Sequence, residues 1–170
     1  MITWKQPLQE FEWLIHQVWY LELGVGEMLE RKPKLIPNPR PHLLFTPDEQ
    51  QYCYENDLLK LEGRGSHLLS ISQQLLTLED KAPLKRIGVT FRPEGLYLLD
   101  PSGNLNTNHC DWPDWLATMF GPSLQNQLWS SNDKSHLLDV LHHHFLQLNR
   151  TPAKYLKNRD LTIDIYGDFQ

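Results

Sequence analysis

The sequence predicts a mainly β domain, a sandwich or barrel, followed by about three α-helices. Three observations lead there. Short apolar runs separated by turn-forming breaks recur between His42 and Phe91, which is the pattern of many short strands at regular spacing. Five prolines between Arg31 and Pro47 (Pro33, Pro37, Pro39, Pro41, Pro47) exclude a regular helix there and hold the preceding residues extended. After Pro101-Ser102-Gly103-Asn104 the apolar residues change from alternation to helical spacing.

Taken in order, Trp13, Ile15, Val18, Trp19, Tyr20 and Leu21 mix with polar residues before Gly24 and Gly26, which predicts a strand ending near Leu23. Leu8, Phe11 and Ile15 fall at helical spacing, so a helical start over Leu8–Ile15 is also allowed. Within the proline-rich segment only His42-Leu43-Leu44-Phe45 can form a proper strand. Further strands are expected at Gln51–Tyr54, Leu58–Leu61, His67–Ile71, Leu75–Leu78 and Lys85–Phe91. In the last of these Ile87, Val89 and Phe91 share one face and Gly88, Thr90 and Arg92 the other, and Pro93 ends the ladder by removing a donor. Gly63-Arg64-Gly65-Ser66 reads as a hairpin turn, since a lone G-x-G without a third glycine or a following helix is a poor phosphate cradle.

Asp111 and Pro113 are placed to open a helix carrying Trp115, Leu116, Met119 and Phe120, which Gly121 stops. A second helix starts at Pro122 and carries Leu124 and Leu128. The Ser130-Ser131-Asn132-Asp133 cluster then caps a third, in which Leu137, Leu141, Phe145 and Leu148 form an apolar stripe. In the tail from Arg150 to Gln170, Leu161, Ile163 and Ile165 alternate with Thr162, Asp164 and Tyr166, suggesting a final strand.

With 170 residues, 40% hydrophobic and 22% charged, the chain is expected to form one soluble domain with a sizeable core. It contains no run of about 18 apolar residues, and its amino terminus lacks a signal-peptide core, so a cytoplasmic location and no membrane partner are expected. Cys53 and Cys110, without CxxC spacing, are expected to be reduced and structural. The formal net charge of −5 disfavours direct contact with nucleic acid.

Four segments resemble, in order, elements of the amino-terminal domains of AraC-type transcription regulators. Gln17-Val18-Trp19-Tyr20-Leu21-Glu22 is similar to their Trp-containing first strand, and Leu35-Ile36-Pro37-Asn38 with His42-Leu43-Leu44-Phe45 to a Leu-Pro-Asp/Asn-like element. Gly88 to Gly95 resembles their G-V-x-F-x-P-x-G signature, and Met119-Phe120-Gly121 with the leucine helix their Phe-Gly helical region. The resemblance covers about Pro7 to Leu148. It implies a cupin-like β-barrel, or double-stranded β-helix, followed by about three carboxy-terminal α-helices. Residues 1–148 would be the sensor and oligomerisation domain (barrel about 10–95, helices about 111–148), and 149–170 a tail or linker towards an absent DNA-binding domain. A small-molecule effector and a homodimer are the implied partners, with DNA reached only through the missing carboxy-terminal helix-turn-helix region. The implied role is non-catalytic, with a small metal-free cupin-fold enzyme, a ligand-binding module or a stand-alone antagonist of a regulator as alternatives.

Candidate chemistry is weighed residue by residue. His142-His143-His144 cannot converge on one ion from a single helix turn, because consecutive helical residues diverge by about 100°; His142 and His143 are instead placed to meet Asp139. No HxH occurs outside this triplet, and His42, His67 and His109 are isolated from carboxylates at ligand spacing. No G-x-S-x-G elbow is present. No metal, cofactor or catalytic residue is therefore expected. Trp19, Tyr20, His42, Phe91 and Arg92 are the candidate ligand-binding residues: the aromatics to stack on an apolar effector, and Arg92 to offer its planar donor fork. A salt bridge from Arg92 to Glu94, Asp100 or another carboxylate, locking the exit of the strand, is the competing reading, as is a plain core role for the aromatics. Leu137, Leu141, Phe145 and Leu148 are the candidate dimer interface.

Overall fold

The computed structural model describes residues 2–28, 32, 34–37, 39–70, 73–99 and 110–149. The predicted tail strand, the turn at Pro101–Asn104, His109 and Asp100 lie outside them. The described chain is mainly β, with ten strands in two antiparallel sheets and four helices. The strands are β1 (Ile2–Gln6), β2 (Ile15–Leu23), β3 (Lys34–Leu35), β4 (His42–Phe45), β5 (Gln51–Glu55), β6 (Lys60–Arg64), β7 (His67–Leu69), β8 (Leu76–Leu78), β9 (Leu84–Phe91) and β10 (Cys110–Asp111). The helices are α1 (Gly95–Leu99), α2 (Asp114–Met119), α3 (Pro122–Leu128) and α4 (Lys134–Asn149). The larger sheet has the order β1-β2-β9-β4-β7-β10 and the smaller β3-β8-β5-β6. Among the described residues no ladder joins the two into a closed barrel.

The large sheet is buried on both faces, and its period-two alternation assigns each residue to a layer. On one face Val18, Tyr20, Leu43, Phe45, Leu68, Ile87, Val89 and Phe91 pack against the helices in the main core. Phe145 of α4 is central there, with ring centroids 5.7 Å from Phe11, 5.7 Å from Phe120 and 6.3 Å from Phe91. The opposite face turns to the small sheet, where Leu44 and Leu69 meet Tyr52, Tyr54 and Leu76 in a second cluster.

Helix starts follow from local chemistry. Asp133 accepts the His136 amide at 3.0 Å and caps α4, as the polar cluster predicts. Pro122 sits in the first turn of α3. The Leu8–Ile15 segment resolves into turns, with Phe11 and Leu14 amides bonded to the Leu8 and Phe11 carbonyls. The Gly65 break differs from expectation: β6 and β7 belong to different sheets, so Gly65, at φ +70°, turns a corner between layers rather than closing a hairpin. No helix among the described residues is long and apolar enough to cross a membrane.

The apolar stripe of α4 is internal. Leu137, Leu141 and Phe145 are each 1% exposed or less, and Leu148 is partly buried against the same core. Leu137, Leu141 and Phe145, expected at a dimer interface, are covered by the chain's own core and are corrected to core, while Leu148, expected with them, is only partly buried. The reason is geometric: an amphipathic helix buries its stripe on whatever apolar face the chain supplies first, here the helix-facing side of the large sheet.

Candidate functional site

The site is built from the inner face of the large sheet. Trp19 on β2 lies directly opposite Gly88 on β9, and a Cβ at Gly88 would stand 2.0 Å from the indole Cε2. Only glycine lets the indole lie flat on the β9 backbone. So placed, Trp19 Nε1 donates to Thr90 Oγ1 at 3.2 Å, and the same hydroxyl lies 3.0 Å from His42 Nδ1. Thr90 Oγ1 accepts from the indole and has one proton to give; we assign that proton to His42 Nδ1, which places the imidazole proton on Nε2. That Nε2 is buried and has no hydrogen-bond partner. Burial, reinforced by Arg40 and then His16, lowers the His42 pKa to about 4, so the ring is neutral at pH 7.

Beside it runs a buried polar network. Arg86, 1% exposed, forms an ion pair with Asp80 and donates from Nε to Thr46 Oγ1 at 3.2 Å and from Nη1 to Tyr54 Oη at 3.1 Å. Tyr54 Oη in turn lies 2.9 Å from His67 Nε2, and His67 Nδ1 lies 2.8 Å from the Gly65 carbonyl. A carbonyl only accepts, so Nδ1 carries the proton and Tyr54 donates to Nε2. Burial, with Arg86 second, drives the His67 pKa down to about 3. Burial likewise raises Tyr54 and Asp80 above their ordinary values, with Arg86 opposing it in both cases. Asp80 Oδ1 accepts the Cys53 amide at 2.7 Å, which with Arg86 offsets part of that rise. Ser66 continues the chain of contacts outward, accepting the Thr46 amide at 3.1 Å and donating to Gln125 Oε1 of α3 at 2.7 Å.

Between the sheets Trp19, His42, Tyr54 and Arg86 line a cavity of about 1010 Å³. Trp19, Leu21 and Leu23 of β2, His42 and Leu44 of β4, Leu69 and Arg86 form the large-sheet wall, and Leu35, Tyr54 and Leu78 the other. Ile2, Glu27, Met28 and Lys34 stand at its rim, Met28 90% exposed. A wider groove of about 1520 Å³ crosses the other end of the sheets, past Asp48, Gln50, Glu79, Lys85 and Gln125. It is the larger of the two, but polar and charged side chains predominate along it, whereas the inter-sheet cavity combines apolar walls with a few convergent polar groups, the ordinary make-up of a ligand site.

The five candidate ligand residues divide. Trp19 and His42 line the cavity. Tyr20 and Phe91 point to the opposite face, into the helical core: Tyr20 stacks on Trp4 and donates to Glu22 at 3.0 Å, and Phe91 packs on Phe145. Arg92 is also away from the cavity, its Nε donating to the Glu12 carbonyl at 2.7 Å and so locking the exit of β9 to the start of β2. The signature residues past it are packing devices too, since a Cβ at Gly95 would meet the Leu14 carbonyl at 2.8 Å.

The sequence reading missed Arg86, Thr90, Tyr54, His67 and Asp80 as a group. A signal existed for the first two, because Arg86, Gly88 and Thr90 share a face of β9 by alternation. The three histidines of α4 diverge as helix geometry requires: His142 faces Glu10 at 3.7 Å, His143 meets Gln147 at 3.1 Å, and His144 bonds the Met119 carbonyl at 2.8 Å. Asp139, expected to pair with the first two, is not their partner in these contacts. Among the described residues no group of three or more His, Cys, Asp or Glu is placed to hold a metal ion. Cys53 and Cys110 are free thiols, and burial pushes Cys110 up to about 12. No protein-family model and no curated protein matches this chain.

Proposed function

We propose that this chain is the effector-sensing domain of an AraC-type transcription regulator and performs no catalysis of its own. The observation that carries the reading is the inter-sheet cavity, roofed by the strand that bears the G-V-x-F-x-P-x-G signature and floored by a second sheet. In this reading the two sheets correspond to the cupin-like barrel of the family, and the layer α2–α4 to its helical annex. The contact path from Arg86 through Thr46 and Ser66 to Gln125 supports coupling between cavity and helices. An effector that favours one arrangement of that path would shift the helices by its differential affinity for the two states.

The reading includes a homodimer formed by surfaces other than the buried stripe of α4, which light scattering at high concentration checks. Its decisive test is DNA binding by the natural gene product with and without a saturating cavity ligand. Equal DNA affinity in both conditions refutes the sensing role.

A further inference from the structure

Resting on that sensing role, we infer that the cavity takes an uncharged, largely apolar small molecule that presents one hydrogen-bond acceptor to His42. Three observations carry this. First, the walls are apolar: Leu21, Leu23, Leu44, Leu69 and Leu78 surround the space, with the face of Trp19 between them. A volume of about 1010 Å³, part of it in the open mouth, suits an organic molecule of ordinary drug size.

Second, the charge buried in the cavity wall is already answered. Arg86 is held by Asp80 and also donates to Thr46 and Tyr54. Glu22 lies 3.6 Å from Lys85. Glu27 and Lys34, of opposite sign, remain at the rim. An ionised ligand group seated past the rim would therefore meet apolar walls without a free counter-charge, which is strongly unfavourable.

Third, one polar atom has no partner. The Nε2 donor of His42 is out of contact with water and makes no hydrogen bond, while Nδ1 is fixed by Thr90. A buried unsatisfied donor is costly, so a carbonyl or ether oxygen brought against this ring edge gains more than it would against a solvated group. The ring is neutral at pH 7, which suits a neutral acceptor.

Three naphthalene dyes that brighten in apolar surroundings separate the chemistry: Prodan, neutral with a ketone acceptor; N-phenylnaphthylamine, neutral without one; and anilinonaphthalene sulfonate, an anion. The protein is expected to bind Prodan and N-phenylnaphthylamine, and the sulfonate at least about tenfold more weakly. His42→Phe keeps a ring and deletes the donor, so it should weaken Prodan about tenfold and leave N-phenylnaphthylamine within about twofold. Leu78→Glu, a charge in the wall, should abolish binding of both, with a cooperative thermal transition confirming that each variant folds. Should a variant fail to fold, the ranking of the three dyes on the unaltered protein still decides the ligand class. No Prodan binding, sulfonate binding as tight as Prodan, or Prodan affinity unchanged in folded His42→Phe or Leu78→Glu would overturn the inference. A Prodan-loaded natural gene product whose DNA affinity is unaltered would instead refute the sensing role and leave the ligand class standing.

Discussion

Alanine at Gly88 would place a methyl group inside the Trp19 indole, 2.0 Å from Cε2, 2.2 Å from Cζ2 and 2.5 Å from Nε1. Real Cβ contacts essentially never fall below 3.0 Å, so the rigid ring must retreat by about 1 Å or more, or change rotamer. Retreat breaks the bond from Nε1 to Thr90 Oγ1, now 3.2 Å, and drives the indole into the cavity it lines. Overpacking costs about 1–3 kcal/mol and the lost hydrogen bond about 1 kcal/mol. The expected destabilisation is thus about 3 kcal/mol, a fall in Tm of roughly 10 °C for a domain of this size. The assay is a double-mutant cycle read by thermal or urea unfolding. In a Trp19→Leu background the clash partner is gone, and Gly88→Ala should then cost less than about 1 kcal/mol. Equal penalties in the two backgrounds would refute the claim that Gly88 exists to seat the indole.

Three further outcomes follow from the buried groups. The folded-state pKa values of His42 and His67, about 4 and about 3, lie below the ordinary histidine value of 6.5, so the unfolded chain binds more protons and stability falls as pH drops below 6.5 towards those values. Together they should remove about 4 kcal/mol between about pH 7 and pH 5, and urea midpoints that stay flat across this range would refute their burial as neutral rings. Asp80→Leu leaves the Arg86 guanidinium buried without its carboxylate and should cost about 3–5 kcal/mol, more than the double replacement of both by leucine; urea unfolding that ranks them the other way contradicts the pairing. Leu141→Ala, at a fully buried position, should cost about 2–5 kcal/mol without changing oligomeric state. Light scattering that shows altered association at unchanged stability would return the α4 stripe to an interface.

Strand and helix placement was largely legible because it depends on local pattern. The runs at His42–Phe45, Gln51–Tyr54 and Lys85–Phe91 correspond to β4, β5 and β9 within a residue or so, and the proline and Asp133 signals locate α3 and α4. Less visible were β1, whose residues alternate only weakly and are mostly exposed, and α1, which follows a proline turn and is five residues long. Short elements of that kind are held by tertiary contacts rather than by their own pattern.

The site divides along the same line. Alternation in β9 fixes two faces of opposite polarity, and Trp19 and His42 are recognisable as candidates. Which face looks into a cavity is not local information, because both faces of β9 are buried, one by helices and one by a second sheet. Phe91 and Tyr20 consequently belong to the helical core, while Arg86 is buried with its charge answered by Asp80 from the β8–β9 connection. The sequence by itself determined the change from strands to helices, the two-faced strand and the apolar stripe of α4. The tertiary structure alone decided what covers each face, since a period says that two surfaces differ and only the packing of distant segments says which partner each one meets.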